Sequence, residues 1–476
     1  MAMIHDILAG ICGKGHVLAA DADGVKPYHE LFGAVADNDS TFEAVVLPGN
    51  TDELQAVVRA VTGHDYSLWC TPNAAGNGAV LGPAGKPAVV VDLQRLNRIL
   101  EVNTHSACAL VEPGVTYRQL HDYLQDKGIP LWVDSDRNPD HSIAGSICSR
   151  HYGYTPYGDH VLMQCGMEVV LGNGDLLRTG MGAVPGSDTW QLFKYNFGPY
   201  LDGLFTQSDM AVVSKVGLWL MPQPPVYRPF MISLPDEAAL AAMVEALRPL
   251  KITGAIPNTV AISSRAFEVA LNHKMEELGG NRPLDPTTLK TITGVGEWNV
   301  FGALYGIPDN VNLTWEAITE IFHGVEGAVL FEARDRDGDR VWQRRSALMG
   351  GMPAESNSPG MLDHAAGVNL TAAAPVEGEA AERMYDIVNS VAARHGVQKL
   401  IEYALLSRTL LQQTYLLYGD DHGPAIAAAR EIMQALTAAG YGLVGESLAL
   451  RRVADDYYKG TGLHDLAGRL RNAICA

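Results

Sequence analysis

The chain has 476 residues, of which 47% are hydrophobic and 19% are charged, and its formal net charge is −19. This length is enough for two or three domains with a large buried core, and the apolar content excludes a disordered chain. The acidic balance repels phosphate and no dense basic run offsets it, so we expect neither nucleic acid nor an anionic membrane as a partner.

The strands and helices of the first half alternate briskly from Ala44 to Pro225. Asn50 or Thr51 has the side chain of a helix N-cap, and Thr116 begins a second helix. The turn Gly172-Asn173-Gly174 predicts a hairpin between two apolar runs. Strands are predicted at 44–48, 67–70, 88–91 and 110–115.

The prolines of residues 221–225 mark the clearest boundary in the chain, because proline interrupts both central strands and helices. Beyond this boundary the sequence predicts helices at 238–250, 313–322, 381–394, 425–438 and 464–473.

The segments that indicate a cellular compartment favour the cytoplasm. No apolar stretch of about 20 residues appears, and residues 1–14 lack the pattern of a secretory signal. The six cysteines include no C-x-x-C pair, so we expect reduced thiols in a cytoplasmic protein. The fifteen histidines include no pair with metal-binding spacing, so we predict no metal.

Three loops carry residues suited to binding or catalysis. Small residues from Thr71 to Gly78 would let backbone N–H groups approach a phosphate, although taken alone a flexible turn is the simpler interpretation. The loop at 131–142 contains Asp136, Asp140 and His141, which can act as acids or bases if they are buried. The loop at 153–160 offers backbone and tyrosine hydroxyls to a flat ring.

Longer motifs run in a fixed order from Glu43 to Pro222: Val111–Tyr117, Gly153–His160, Gly166–Leu171, Leu177–Gly182 and Phe197–Phe205. They resemble the vanillyl-alcohol oxidase / p-cresol methylhydroxylase (PCMH) family of FAD enzymes, and weaker similarity continues to Arg471–Ala473. The resemblance implies an α+β, two-domain vanillyl-alcohol-oxidase-like fold. It has an FAD-binding domain of the PCMH type at 1–225, completed by 430–476, and a cap or substrate domain with an antiparallel sheet and helices at 226–429.

The resemblance also implies an oxidoreductase that removes a hydride from a substrate C–H and passes electrons to oxygen or another acceptor. Relatives assemble with themselves, so we expect a homo-oligomer. Residues at matching motif positions are expected to bind the FAD: Pro72, Asn73, Ala74, Ala75, Gly76, Asn77, Gly78, Pro113, Gly114, Val115, Gly145, Ser146, Tyr154 and Val212.

The substrate side departs from the family. Members that oxidise para-alkyl phenols hold the phenolate with a tyrosine and a Tyr-Arg pair, and Asn77, Val444 and Gly445 stand at those positions. Each lost charge-assisted bond costs ~2–4 kcal/mol in a dry site, so we expect a small molecule other than a simple 4-alkylphenol. The expected substrate pocket comprises Asn77, Tyr157, Gln412, Val444 and Gly445.

The catalytic aspartate of the family is replaced by Arg137, with Asp136 and Asp140 beside it. We expect Asp140 or Asp136 to act as the general base, and Tyr157 to present its hydroxyl to the substrate. Arg137 would bind a substrate anion or stabilise the reduced flavin.

The family's FAD-tethering histidine falls near Leu411-Gln412, where this sequence has none, so we expect non-covalent FAD. A tyrosyl tether at Tyr415 or Tyr418 is the alternative. The sequence also leaves open a non-redox lyase, isomerase or cyclase on the same scaffold, and a catalytically silent subunit.

Overall fold

The structure is a computed structural model that describes residues 4–33, 42–73, 78–82, 85–273, 295–353, 367–418, 421–446 and 450–475. The chain divides into two compact units. The first comprises Met1–Tyr152, Asp159–Pro222 and Asp455–Ala476, and the second comprises Gly153–Gly158 and Gln223–Ala454.

The first sheet of the first unit has the strand order β1-β2-β4-β3, with β4 parallel to both of its neighbours. Every residue of β4 is buried, as expected for a central parallel strand. The bounds of these strands are β1 Val17–Ala19, β2 Phe42–Val46, β3 Ser67–Thr71 and β4 Ala88–Asp92.

The second sheet of the first unit is antiparallel with the order β5-β6-β10-β8-β9. The predicted hairpin is confirmed, since β8 and β9 pair on either side of Gly172–Gly174. A short pair of strands, β7 and β11, accompanies this sheet. The bounds are β5 Ile99–Asn103, β6 Cys108–Val111, β7 Leu131–Trp132, β8 Gln164–Leu171, β9 Leu176–Arg178, β10 Ala211–Trp219 and β11 Met221–Pro222.

The helices of the first unit begin where the sequence supplies caps. Asn50 Oδ1 accepts from Glu53 N at the start of α3, and Thr116 Oγ1 accepts from Gln119 N at the start of α4, which confirms both predictions. The bounds are α1 Ile4–Cys12, α2 Lys26–Gly33, α3 Thr51–Gly63, α4 Tyr117–Asp126, α5 Ile143–Cys148 and α6 His160–Met163.

The second unit is built on one antiparallel sheet, for which the described residues give the order β15-β12-β14-β13-β17-β18-β16-β19. The bounds are β12 Val226–Leu234, β13 Val260–Ser264, β14 Trp298–Gly306, β15 Val329–Glu332, β16 Gly367–Pro375, β17 Gln398–Leu405, β18 Thr409–Leu417 and β19 Gly442–Glu446.

Helices pack on both faces of this sheet. One face is covered by α11, whose Ala381 carbonyl accepts from the Tyr403 hydroxyl at 2.9 Å, while α8 and α10 lie on the face that carries Glu402. The bounds are α7 Leu240–Ile252, α8 Arg265–Asn272, α9 Pro308–His323, α10 Arg340–Met349, α11 Gly378–His395 and α12 Gly423–Ala438, followed by α13 Arg451–Tyr458 and α14 Gly462–Ile474 near the C-terminus.

The division into units differs from the predicted domain bounds at 225 and 430. Apart from the short segment Gly153–Gly158, the chain leaves the first unit after Pro222 and returns to it at Asp455. The intervening α12 packs on β16 and β18, and β19 pairs with β16, so both elements lie in the second unit. Their amphipathic pattern shows that one face is buried, but it does not show which sheet buries that face.

Candidate active site

A cradle of bare backbone forms in the first unit where the small-residue loop follows β3. Gly78 has φ +76°, and a Cβ there would lie 2.4 Å from the Cα of Gly145. Asn73, before the loop, donates from Nδ2 to the Asp140 carbonyl at 3.2 Å. Only glycine fits at Gly78, since both the left-handed backbone and the close approach exclude a side chain.

The start of α5 joins this cradle to the turn after β6. Ser142 Oγ accepts from the Gly145 N–H at 2.9 Å and donates to the Pro113 carbonyl at 2.5 Å. The Ile143 N–H donates to the Val115 carbonyl at 3.1 Å. The structure therefore brings together these predicted FAD-binding residues: Pro72, Asn73, Gly78, Pro113, Gly114, Val115, Gly145 and Ser146.

Of the remaining predicted FAD-binding residues, two are described with other contacts and four are not described. Val212 is buried in β10, where it pairs with Val170 of β8. Tyr154 belongs to the second unit. Ala74, Ala75, Gly76 and Asn77 lie outside the described residues.

The cradle suits the diphosphate of FAD. Its glycines leave backbone surfaces without side chains, and a Cβ added at Gly114 would lie 2.8–2.9 Å from the carbonyl oxygens of Leu93, Gln94 and Leu96. These contacts hold the Gly78 and Gly114 turns tightly against neighbouring backbone, so neither turn carries a side chain that could obstruct a phosphate group. The residues present in this part of the first unit thus fit an FAD.

A buried acid–base pair lies next to the cradle. His141 Nδ1 is 2.9 Å from Asp136 Oδ2, and the same oxygen accepts from Ser146 Oγ at 2.8 Å. Asp136 Oδ1 accepts from the Asn138 N–H at 2.9 Å, and His151 Nδ1 lies 3.7 Å from the carboxylate. The sequence placed these residues in one loop, and the structure closes them into one cluster.

The charges in this cluster shift the pKa values of its members. Burial alone would raise the pKa of Asp136, but the charges and hydrogen bonds of His141 and His151 hold it well below its ordinary value. Burial alone would lower the pKa of His141, but Asp136 raises it above the ordinary value of a histidine. Asp136 is therefore ionised at neutral pH.

A second histidine–carboxylate pair lies behind the first. His160 Nε2 is 2.7 Å from Asp134 Oδ1, and His160 Nδ1 is 3.1 Å from the Tyr117 hydroxyl. Tyr117 also forms a side-chain hydrogen bond with Ser146, and burial raises its pKa well above the ordinary value. A continuous hydrogen-bonded chain thus runs from Asp134 through His160, Tyr117, Ser146 and Asp136 to His141.

The other predicted catalytic residues have different surroundings. The Asp140 side chain is 61% exposed, and its Oδ1 accepts from Arg118 Nε at 2.8 Å. Arg137 is half-buried, and its charge acts against protonation of His141. Tyr157 is half-buried in the second unit, and its N–H donates to Thr155 Oγ1 at 3.0 Å.

The tyrosine loop Gly153–Gly158 is held within the second unit by buried polar contacts. The Tyr154 hydroxyl donates to Glu402 Oε1 at 3.1 Å, and Asn258 Nδ2 donates to the Tyr154 carbonyl at 3.0 Å. A Cβ on Gly158 would lie 2.6 Å from both the Gly153 carbonyl oxygen and Thr259 Oγ1, so the loop is closely packed.

Beneath this loop, Arg345 bridges two buried carboxylates. Its guanidinium contacts Glu268 and Glu402, both fully buried, and lies 5.7 Å from the Tyr154 ring. Burial lowers the pKa of Arg345, but the two glutamates raise it above its ordinary value overall. This cluster was not predicted from the sequence. Glu402 within the apolar strand β17 could have indicated it, because a buried carboxylate needs a charged or hydrogen-bonding partner.

The predicted pocket residues on β18 and β19 lie in the second unit. Gln412 is fully buried, and its Nε2 donates to the Tyr403 hydroxyl at 2.8 Å on the face covered by α11. Its place in a substrate pocket stays a prediction. Val444 and Gly445 are half-buried, and a Cβ on Gly445 would meet only Thr371, at 4.0 Å.

Comparison with known proteins agrees with this geometry. The family model described as "FAD binding domain" matches residues 42–180. The chain is 32% identical over 465 residues to the 4-cresol dehydrogenase [hydroxylating] flavoprotein subunit of Pseudomonas putida, which covers 94% of this chain and 88% of the relative. The chain belongs to the vanillyl-alcohol oxidase / p-cresol methylhydroxylase family.

Solved structures and a further relative support this membership. The crystal structure of p-cresol methylhydroxylase with substrate bound matches with a TM-score of 0.90 at 29% identity, over 99% of this chain and 94% of that one. The 4-ethylphenol oxidase from Gulosibacter chungangensis matches with a TM-score of 0.91 at 28% identity, with the same coverage. The 1'-carboxy-chondrochloren decarboxylase of Chondromyces crocatus is 34% identical over 270 residues, covering 55% of this chain and 50% of the relative.

The family membership establishes the α+β fold with a PCMH-type FAD-binding domain and an FAD-dependent oxidoreductase activity. Across the described ranges, no helix has both the length and the apolar character needed to cross a membrane. The same residues contain no group of three or more His, Cys, Asp or Glu side chains placed to hold a metal ion.

Proposed function

We propose that this enzyme oxidises a C–H bond of an aromatic or natural-product-like small molecule that is not a simple 4-alkylphenol. The observation that carries the proposal is the presence of Val444 and Gly445 on β19, at the positions where the family resemblance implies a phenolate-binding Tyr-Arg pair. Neither residue has a hydroxyl or a cation, and space remains beside Gly445. The pocket is therefore open to a bulkier or uncharged ring.

The residues of the chain divide between holding the cofactor and handling protons. Bound FAD would supply the acceptor for the substrate hydride. The cradle of Pro72, Asn73 and Gly78 with Gly145 and Ser146 would hold its diphosphate, because Gly78 and Gly145 place no side chain over the backbone there.

Of the candidate bases, Asp136 and Asp140 differ in how free their carboxylates are to accept a proton from a substrate. The Asp136 carboxylate already accepts hydrogen bonds from His141, Ser146 and Asn138, so it serves as a fixed negative charge. The Asp140 side chain is exposed and its carboxylate is paired with Arg118, so it is in contact with solvent and with a cation.

One benzylic alcohol and one 4-alkylphenol test the substrate class. Under anaerobic conditions, 4-methoxybenzyl alcohol, which cannot form a phenolate, is expected to bleach the flavin absorbance. 4-Cresol is expected to bleach it at least ~100-fold more slowly, since two charge-assisted bonds to the phenolate are missing. Bleaching by 4-cresol at a rate equal to or above that of 4-methoxybenzyl alcohol would overturn the proposal.

The FAD is proposed to be non-covalent, because no histidine stands near Leu411-Gln412. Tyr415, the alternative tether, packs against Phe267 with ring centroids 6.0 Å apart, which is an ordinary core contact. Acid precipitation should leave the yellow colour in the supernatant, and a yellow pellet would contradict this expectation.

The electron acceptor and the assembly complete the proposal. Oxygen or another acceptor would reoxidise the flavin, and we propose a cytoplasmic homo-oligomer. The Pseudomonas putida relative is named as a flavoprotein subunit, so a protein acceptor is the alternative to oxygen. Admitting air to the bleached protein separates the two, because an oxidase recovers its colour within seconds and a dehydrogenase does not.

A second candidate reaction is removal of a carboxylate from the substrate as CO2. It is favoured by the similarity over 55% of the chain to the decarboxylase from Chondromyces crocatus. Arg137 would then bind the substrate carboxylate through its planar guanidinium. Trapping of CO2 from a carboxylated aromatic probe such as 4-methoxymandelate, with and without flavin bleaching, would test this reaction.

A further inference from the structure

The Asp136–His141 pair lies directly beside the cofactor cradle of the first unit. Ser146, which donates to Asp136, follows Gly145, and Gly145 is the residue that Gly78 approaches most closely. Both residues of the pair fall within the region matched as an FAD binding domain. A proton exchanged at His141 is therefore exchanged next to the residues that fit the cofactor.

The hydrogen bond to Asp136 fixes the tautomer of His141. An ionised carboxylate can only accept, so Nδ1 carries the hydrogen and the neutral imidazole presents its lone pair at Nε2. The His141 side chain is 23% exposed, which leaves an edge of the ring accessible, whereas the Asp136 side chain is 10% exposed. The carboxylate would also stabilise the imidazolium formed when Nε2 takes a proton.

A substrate without a phenolate needs such a group. When a phenol is oxidised, the ionised ring oxygen pushes electrons toward the reacting carbon. An alcohol without that oxygen must lose its own hydroxyl proton as the neighbouring C–H bond is oxidised, and a positioned base then accelerates the step.

We propose that His141, oriented by Asp136, is the general base of this oxidation and that the substrate is a primary or secondary alcohol. This inference rests on the proposed function. The O–H bond breaks and its proton goes to Nε2. The adjacent C–H bond breaks and the alcohol becomes a carbonyl compound; bound FAD would accept the hydride with both electrons and so be reduced.

Other charged groups near His141 set its titration. Asp136 raises the pKa of His141 and Asp140 acts in the same direction, while Arg137 acts against them. His151 is the rival base, but it lies 3.7 Å from Asp136 and its side chain is 43% exposed. Among the described residues, the titratable or charged groups near His141 are Asp136, Arg137, Asp140, His151 and Tyr117. Arg118 acts indirectly, because it forms an ion pair with Asp140.

The first test measures anaerobic flavin bleaching by 4-methoxybenzyl alcohol between pH 5 and 9. The wild-type rate should rise with pH through the pKa of His141 and then level off. His141→Gln should be at least ~100-fold slower at pH 8 and lose this rise. His105→Gln, at an exposed turn, is the control.

Asp136→Asn and His151→Gln refine the assignment. Asp136→Asn should shift the rise to lower pH, because the charge that raises the pKa of His141 is gone. A loss of rate in His151→Gln with an unchanged His141→Gln would overturn the proposal. FAD affinity and the thermal unfolding midpoint are measured for each variant, and if His141→Gln does not fold, His141→Asn replaces it.

A second test needs no substrate. The midpoint potential of the bound FAD is measured against pH with dithionite as the reductant. The proposal requires His141 to lie beside the flavin ring, where reduction adds negative charge. The wild-type curve should then change slope at the pKa of His141, and His141→Gln should lack that change. Histidine-selective NMR titration of the wild type, with and without FAD, locates the pKa independently.

The outcomes separate this inference from the proposed function. If 4-methoxybenzyl alcohol bleaches the wild type and His141→Gln equally fast, the base assignment fails and the proposed substrate class stands. If 4-methoxybenzyl alcohol does not bleach the flavin, the proposed function fails, and the potential measurement alone then decides whether His141 exchanges a proton with the cofactor site. Superimposable potential curves for the wild type and His141→Gln would overturn the inference.

Discussion

At the scale of single residues, the buried charge of Arg345 is expected to contribute strongly to the stability of the second unit. It neutralises Glu268 and Glu402 while both glutamates accept further hydrogen bonds, Glu268 from Ser263 and Glu402 from Tyr154. Removing the cation leaves two carboxylates facing each other without water. The cost of such a change far exceeds the worth of an exposed ion pair.

We predict that Arg345→Met lowers the free energy of unfolding by ~3–5 kcal/mol, because it leaves uncompensated buried charges. Arg334→Met is the control, since the Arg334 side chain is 81% exposed and only loosely paired. Urea unfolding of the two variants checks the prediction. Recovery of stability in the triple variant Arg345→Met, Glu268→Gln, Glu402→Gln would support the charge explanation, and an Arg345→Met variant as stable as the wild type would contradict it.

The Asp136–His141 pair also predicts a dependence of stability on pH. The folded pKa of His141 is raised, so its stabilising contribution is complete below the unfolded value of ~6.5 and is lost as pH rises through the folded pKa. The folded pKa of Asp136 is lowered, so its contribution is present above ~3.9 and is lost as pH falls through the folded pKa.

His141→Gln should therefore lose more unfolding free energy at pH 5 than at pH 9. His105→Gln should show no such difference, and chemical denaturation at both pH values measures it. An equal loss at the two pH values would show that folding does not raise the pKa of His141.

The candidate catalytic residues could be found from the sequence, but their roles could not. Asp136, Asp140 and His141 stand within six positions, and composition does not distinguish a buried carboxylate from an exposed one. The turn at Asn138 directs Asp136 inward and Asp140 toward Arg118. Their burial depends on helices and strands distant in sequence, which no local pattern reports.

At the scale of elements, the turn after β6 is fixed by the close packing of Gly114. The three carbonyl oxygens that a Cβ would meet belong to the backbone, which cannot move aside as a flexible side chain would. Gly114→Ala should therefore shift the turn that supports Pro113 and the cap of α5. We predict a loss of ~1–3 kcal/mol of stability with a weaker affinity for FAD.

Gly63→Ala is the matched control, because Gly63 is the last residue of α3 and has open space around it. It should leave stability equal or slightly higher. Urea unfolding and FAD titration of both variants provide the measurement. Similar behaviour of the two variants would mean that the turn at Gly114 tolerates a side chain.

Variants of β19 test whether Val444 and Gly445 disfavour phenol substrates, as proposed. The double variant Val444→Tyr, Gly445→Arg restores the residue types that hold a phenolate, and a side chain at Gly445 has room. We predict a rise of at least ~10-fold in the rate at which 4-cresol bleaches the flavin, corresponding to one charge-assisted bond. Gly442→Arg, at an exposed position on the same strand, should produce no rise.

Most of the elements could be predicted from the sequence, whereas their partners could not. The caps at Asn50 and Thr116 and the hairpin at Gly172–Gly174 are local signals, and the structure confirms them. The order of strands in a sheet depends on pairings across long loops. The sequence assigned residues 430–454 to the first domain, whereas the structure groups Gln223–Ala454 in the second unit. A helix pattern indicates its apolar face and not the sheet beneath it.

At the scale of the whole molecule, the net charge of −19 must accommodate a cofactor that is itself anionic. The exposed backbone of the cradle can bind an anionic cofactor in an acidic protein, because N–H groups attract phosphate without a basic side chain. Binding to the folded state alone must then stabilise the protein in proportion to the concentration of free cofactor.

We predict that adding FAD to the apoprotein at ~100 times its dissociation constant raises the free energy of unfolding by ~2.7 kcal/mol. FMN at the same concentration should raise it less, since it lacks the adenylate half. Urea unfolding with and without each flavin checks the prediction. Stability unaffected by either flavin would show that the folded protein does not bind FAD.

The order in which the chain visits its two units has a practical consequence. Because Gly153–Gly158 is inserted from the first half of the sequence, neither unit corresponds to one uninterrupted stretch. A fragment spanning 223–454 would lack Tyr154. The hydroxyl of Tyr154 donates to Glu402, and its carbonyl accepts from Asn258. We expect this fragment to be insoluble when it is expressed alone. Adding residues 153–158 through a designed linker should make the second unit soluble on its own.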